Sequence, residues 1–238
     1  MLPLDKSKVY NELLNTEKFA NENEMKINFK KTKVMLFNPC KGTDFQPELR
    51  VNNQDLDVVE EVGLLGLVIR SDMKWSSNTT NMVQRACKRL WILRRLKNLG
   101  AKFQDLIDVY IMQVRCILEL AVPAWQGGLT LDEKLDLERV QKSACHIILG
   151  KEYIGYQNAL KLLNLETLES RRIKLCLKFA LKAEKHLKFN KWFKPTQKMY
   201  NTRHEHNKYQ NVRANHTRFL KSPLSFLTRL LNNHYGAK

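Results

Sequence analysis

Three lysines, Lys30, Lys31 and Lys33, stand close together in the stretch EMKINFKKTKVMLF, Glu24 to Phe37. Ammonium groups at that density can meet a polyanion, and one held near a leaving oxygen can donate a proton to it. The plainer alternative is a solvated, charged hairpin turn. A second set of cations, Arg85, Lys88, Arg89 and Arg95, falls on one side of a helical pattern between Ser76 and Asn98. Cations so arrayed can track a phosphate backbone, which gives affinity without base-sequence preference; the alternative is a solvated helix face. A weaker stripe, Lys178, Lys182 and Lys185, is interrupted by Glu184. Trp91, Trp125 and Trp192 can stack on bases, but aromatic side chains at helical spacing more often build a core. Trp125, close behind Pro123, is expected there.

The five cysteines, Cys40, Cys87, Cys116, Cys145 and Cys176, form no C-x-x-C pair and are odd in number. Reduced thiols acting as small buried hydrophobes are therefore expected. His204 and His206 have no cysteine near enough for a standard zinc finger.

The elements that must hold these cations come from pattern. Ile27 and Phe29 alternate with polar residues, and Val34 to Phe37 is a short apolar run, so the lysine turn is expected between two strand-like pieces. Before it, Lys6 to Asn23 reads as a helix with Val9, Leu13, Leu14 and Phe19, and little precedes it to pack on. Asn38-Pro39-Cys40-Lys41-Gly42 breaks regular structure. Glu48 to Val51, Leu56 to Val59 and Val62 to Ile69 read as short strands, with a hairpin turn at Asn52-Asn53 and Gly66 inside the last run.

From Ser76 the chain turns helical. Asn78 or Thr79 is expected to cap a helix running to Asn98, stopped by Gly100, with Met82, Ala86, Leu90 and Leu93 as its apolar stripe. Further helices are expected over Lys102 to Val122, stopped by Pro123, then Leu131 to Leu149, Tyr156 to Leu163, and Leu168 to Leu187, a basic one with Arg171-Arg172 near its start. A polar, irregular stretch through Asn215 precedes a short helix, Pro223 to Leu231.

The chain has 238 residues and is 43% hydrophobic, which suits a globular protein rather than a disordered one. Its 41 basic and 24 acidic residues give a net charge of +17 and a pI near 9.7. That excess favours nucleic acid as partner, with an anionic membrane surface second. No apolar run approaches the roughly 20 residues that span a bilayer, and the first residues are not a signal peptide. An intracellular site is expected, nucleus or cytoplasm left open.

INFKKTKVMLF, then VGLLGLVI and MKW, then the basic RACKRLWILRRLKNLG follow one another in an order that resembles the reverse transcriptase of non-LTR (LINE-type, jockey-like) retrotransposons, downstream of its active-site aspartates. Asn28, Lys31 and Thr32 match that family's N-x-x-K-T turn, the fourth motif of the palm. Leu65 and Gly66 match the primer-grip hairpin. VRCILELAVPAW, Leu129-Thr130, LERVQKSA, TLESRR and a closing S-x-x-x-x-L-x-x-L-L-N continue the likeness over nearly the whole chain from Glu24. The resemblance implies an α+β fold: a small antiparallel β region from a partial palm (1–75), thumb-like helices (76–125), a C-terminal helical extension (126–190) and a polar tail with a short terminal helix (191–238). It also implies that Lys31 is the lysine proposed to protonate departing pyrophosphate, and that the partner is an RNA–DNA template-primer.

Two-metal phosphoryl transfer needs carboxylates to hold the ions. The resemblance places them before the N-x-x-K-T turn, yet no Asp-Asp pair occurs in this sequence and only Asp5 precedes Asn28. Polymerisation by this chain alone is not expected, and the two Mg2+ ions belong to a complete family member. The expectation is a truncated reverse transcriptase fragment that retains nucleic-acid binding through Lys30, Lys33, Arg85, Lys88, Arg89 and Arg95. The competing readings are a helical interaction module that assembles with itself or with a separately encoded palm, and one piece of a longer, complete enzyme.

Overall fold

The computed structural model describes residues 6–28, 30–37, 50–51, 54–196, 207–211 and 217–236. The chain divides into two compact units, Met1–Lys74 and Trp75–Lys238.

In the first unit, helix α1 (Lys6–Glu22) is followed by paired two-residue strands and one hairpin. β1 (Lys33–Val34) runs parallel to β4 (Asp57–Val58), while β2 (Arg50–Val51) pairs antiparallel with β3 (Gln54–Asp55). The Asn52-Asn53 turn expected between β2 and β3 lies outside the described residues, as does the Asn38 to Gly42 breaker. β5 (Glu61–Leu64) and β6 (Leu67–Arg70) form an antiparallel hairpin. Its two turn residues both have positive φ, 50° at Leu65 and 84° at Gly66. That is the type I′ geometry whose twist matches the flanking strands. Val62 to Ile69 is thus two strands and a turn rather than one strand.

The β region is therefore not wholly antiparallel. Nor do Ile27 and Asn28 enter a strand; Phe29 lies outside the described residues. Asn28 closes a turn instead: its carbonyl accepts from the Lys31 and Thr32 amides, both at 3.0 Å, which leaves that backbone unavailable to a ladder. Of the Val34 to Phe37 run only Val34 is paired, and the run is half-buried to exposed. The described apolar core of this unit is Ala20, Leu56 and Leu67, while Val9, Tyr10, Leu14 and Phe19 of α1 stay exposed.

The second unit is helical. Its helices are α2 (Ser76–Asn98), α3 (Phe103–Val109), α4 (Cys116–Leu118), α5 (Val122–Trp125), α6 (Leu131–Leu149), α7 (Tyr156–Leu162), α8 (Leu168–Lys185), α9 (Thr217–Leu220) and α10 (Pro223–Gly236). A π-helical segment, Tyr110–Arg115, joins α3 to α4 and turns Tyr110 and Val114 fully inward. Ala121, at φ 48°, ends that run, so Pro123 does not stop a helix but sits in the first turn of α5. A proline is tolerated there because the missing N–H would have had no partner. α2 packs chiefly on α6, and α8 on α5 and α10.

α6 begins with a capping box: the Glu133 amide donates to Thr130 Oγ1 at 3.3 Å, and the Thr130 amide donates to Glu133 Oε2 at 2.7 Å. Gln141 of α6 ties the interior together, accepting from Tyr110 Oη at 2.6 Å and donating to Tyr156 Oη and the Glu166 carbonyl, both at 2.8 Å. Trp125 is fully buried, as expected, and its indole N–H donates to the Leu120 carbonyl at 2.8 Å. Cys145 and Cys176 are buried, and burial pushes both thiols up to about 12, which removes them as nucleophiles. Cys87 and Cys116 are exposed, against expectation; Cys87 falls off the Met82 to Leu93 stripe of α2, and the Cys116 thiol lies against the Met112 carbonyl at 2.8 Å. Cys40 lies outside the described residues. No helix among the described residues is long and apolar enough to cross a membrane.

Candidate nucleic-acid interface

α2 has two faces, and its sequence dictates both. Met82, Ala86, Leu90 and Leu93 recur at helical spacing and are all buried. They anchor the helix along α6 and the π segment. The C-terminus is fixed by a Schellman motif: the Gly100 amide donates to Lys97 O at 3.0 Å and the Ala101 amide to Leu96 O at 3.1 Å. Gly100 itself stands at φ 81°, which glycine adopts without a Cβ penalty.

Asn78 and Thr79 do not cap the helix. It begins earlier, at Trp75, and the two polar residues are buried inside its first turns, with Asn78 Nδ2 at 3.2 Å from Met82 Sδ. A bulky residue at the cap position with no capping side chain carried no sequence signal for the start.

One cation of α2 points inward. Lys97 Nζ donates to the carbonyls of Ile147 at 2.6 Å and Ile148 at 3.0 Å, satisfying two groups at the end of α6 where positive charge is favoured. A Cβ on Gly150 would stand 2.4 Å from that nitrogen and displace it, and the positive φ of 58° at Gly150 is what favours glycine there.

The remaining cations of α2, Arg85, Lys88, Arg89, Arg94 and Arg95, are exposed. The 23 residues of α2 include no aspartate or glutamate. Lys88, Arg89, Arg94 and Arg95 form no ion pair among the described residues. Those four are positive charge without a pairing carboxylate, on a helix anchored by its apolar stripe, the arrangement that attracts a polyanion.

Trp91 belongs to this outer face. It is 64% exposed, not in the core. Sequence reasoning offered Trp91 as a base-stacking candidate but weighed a core position as the commoner one for an aromatic at helical spacing, and it did not single out Arg94. The available signal was position: Trp91 falls three residues after Lys88 and four before Arg95, off the Met82 to Leu93 stripe.

On α8, Lys174, Lys178, Lys182 and Lys185 line a shallow groove with Leu177 and Leu181. Lys174 pairs with Glu166 at 2.6 Å. Glu184 does not interrupt this stripe, because its carboxylate turns aside to accept from Lys208, Tyr209 and Tyr235. Arg171 pairs with Glu119, which also faces Arg115 at 3.7 Å. Arg172 is unavailable to any ligand. It is fully buried, its Nε donates to Gln126 Oε1 at 2.8 Å, its guanidinium lies 6.0 Å from the Trp125 ring centre, and burial pushes its pKa down.

In the first unit Asn28, Lys31 and Thr32 share one turn. The Lys31 amide also reaches Asn28 Oδ1 at 3.2 Å, and Thr32 Oγ1 donates to Asn28 O at 3.0 Å. Asn28 and Thr32 therefore shape the turn, and Lys30 and Lys31 are presented exposed from it. Lys33 is spoken for: its ammonium pairs with Asp57 across the β1–β4 ladder. Leu65 and Gly66 form the tip of the β5–β6 hairpin, with Leu65 90% exposed. The lysine turn and hairpin belong to one unit and the α2 cations to the other.

No group of three or more His, Cys, Asp or Glu able to hold a metal ion occurs among the described residues. The described residues thus include no carboxylate cluster of the kind that a two-metal phosphoryl-transfer centre needs. Compared with protein-family models, with curated proteins and with solved structures, the chain matches none.

Proposed function

We propose that this chain is a nucleic-acid-binding portion of a non-LTR-type reverse transcriptase, holding polynucleotide backbone on the outer face of α2 and not catalysing synthesis by itself. One observation carries the reading: an acid-free helix, anchored along its apolar stripe, presents five exposed cations. Backbone binding without base preference is what such a face does. Under this reading the ligand is an RNA or DNA backbone, such as that of an RNA–DNA template-primer with its unpaired template strand, and Lys31 contributes at most a phosphate contact, since no carboxylate cluster stands ready to hold metal ions among the described residues.

Binding of a labelled RNA–DNA duplex, followed by anisotropy at several salt concentrations, tests it. Affinity should fall steeply with salt, with a logarithmic slope of about 0.7–0.9 per phosphate neutralised. Replacing Lys88, Arg89 and Arg95 together by alanine should lower that slope by about two to three units. Affinity indifferent to salt, or a slope unchanged in the triple variant, would reject the reading.

A second reading, an interaction module that docks on another chain, is favoured by the exposed Val9, Tyr10, Leu14 and Phe19 of α1. Light scattering that finds only monomer across a wide concentration range would count against self-assembly.

A further inference from the structure

Phosphate binding leaves one feature of the α2 outer face unused. Trp91 is the one large apolar side chain of this helix left exposed; Met82, Leu90 and Leu93 turn inward. Single exposed apolar residues are ordinary on a protein surface. An exposed indole with unpaired cations on both sides is less so. Lys88, three residues before, and Arg95, four after, are its neighbours along one helix face, with Cβ separations of about 5–6 Å.

Resting on the reading that α2 binds nucleic acid, we propose that its preferred ligand is single-stranded, with a nucleobase stacked on the Trp91 indole and the flanking phosphates held by Lys88 and Arg95. A base in a duplex is already stacked on its neighbours and presents no free face, whereas every unpaired base does. The indole therefore adds affinity for a single strand and none for a duplex. The charge pattern chooses this occupant over an apolar protein surface. Such a surface would strip water from Lys88 and Arg95 without returning a negative partner, at a penalty. A polynucleotide supplies an aromatic face and an anion at each step.

The test compares the full wild-type chain with Trp91→Ala, Trp91→Phe, Lys88→Ala and Arg95→Ala. The ligands are a labelled oligothymidylate of about twenty residues, longer than a typical site, and a duplex of equal length. Trp91→Ala should weaken oligothymidylate binding about tenfold, the size of one base–aromatic stack. Trp91→Phe should restore most of it, and duplex affinity should stay within about twofold, since only the stacking contribution has been removed. Equal loss on both ligands, or no loss on either, overturns the single-strand proposal. If Lys88→Ala and Arg95→Ala still weaken both ligands in that case, backbone binding stands. Failure of the wild-type chain to bind any nucleic acid overturns both readings together. A tryptophan emission shift on vesicles rich in anionic lipid, with none on oligothymidylate, overturns the proposal in favour of a membrane surface.

Discussion

Glu184 lies in the sequence beside Lys182 and Lys185, yet its side chain is only 11% exposed and faces Lys208, Tyr209 and Tyr235. Burial alone would raise its pKa, but the hydrogen bonds from those three groups outweigh it and hold the carboxyl below the usual glutamate value. A folded pKa below the unfolded one means that the anion stabilises the fold above the unfolded value of about 4.3, and that this contribution is lost as pH falls through the lowered folded value. The thermal midpoint of the wild type should accordingly drop as pH falls below about 4.5. Glu184→Gln should show a lower midpoint at neutral pH and a shallower acid limb. Parallel profiles for the two proteins would show that the contact does not titrate as described. Arg172 makes the same point from the other side. Its neighbour Arg171 is partly exposed and ion-paired, while Arg172 lies in the core against Trp125. Composition counts both as basic surface, and only the helix phase separates them.

The helices of the second unit were largely legible. The C-terminal ends of α2 and α6 follow from apolar periodicity and from Gly100 and Gly150, because stripes of that length leave little freedom in phase and glycine marks the exits. The errors came where local chemistry has two solutions. Pro123 ends one helix pattern or opens the next, and Ala121 at positive φ decides for the second. Asn78 and Thr79 are good caps or tolerable interior residues, and the Trp75 start makes them interior. In the first unit the two-residue ladders carry too few side chains for any period to register. Arg85, Lys88, Arg89 and Arg95 were found by type while Arg94 was not, and Trp91 was left between stacking and core because aromatic identity was weighed over angular position. The Schellman exit of α2 gives a direct check. Gly100→Ala meets no steric neighbour, so the positive φ alone should cost about 1 kcal/mol of stability, read from the shift in denaturant midpoint at unchanged slope. An unaltered midpoint would mean that the exit geometry differs from that described.

At the scale of the whole chain, stability is unevenly spread. The described apolar core of Met1–Lys74 is Ala20, Leu56 and Leu67, against a continuous helical core in Trp75–Lys238 that includes Trp125, Tyr110, Leu137 and Leu168. Regions with few buried apolar contacts open locally well below the global unfolding free energy. Amide hydrogen exchange should therefore be fast in α1 and the β5–β6 hairpin and slow in the centres of α2 and α6. Comparable protection in the two units would overturn this description. The net charge of +17 acts through the well-cored unit, where α2 is fixed before any ligand arrives. The Lys97 contact has a consequence for how that charge is controlled. Its ammonium is occupied by the two α6 carbonyls, so an acetyl donor or an amine-reactive label would meet Lys88 freely and find Lys97 shielded. Neutralising Lys88 covalently should thus lower the nucleic-acid affinity proposed for α2 while leaving the helix latched in place.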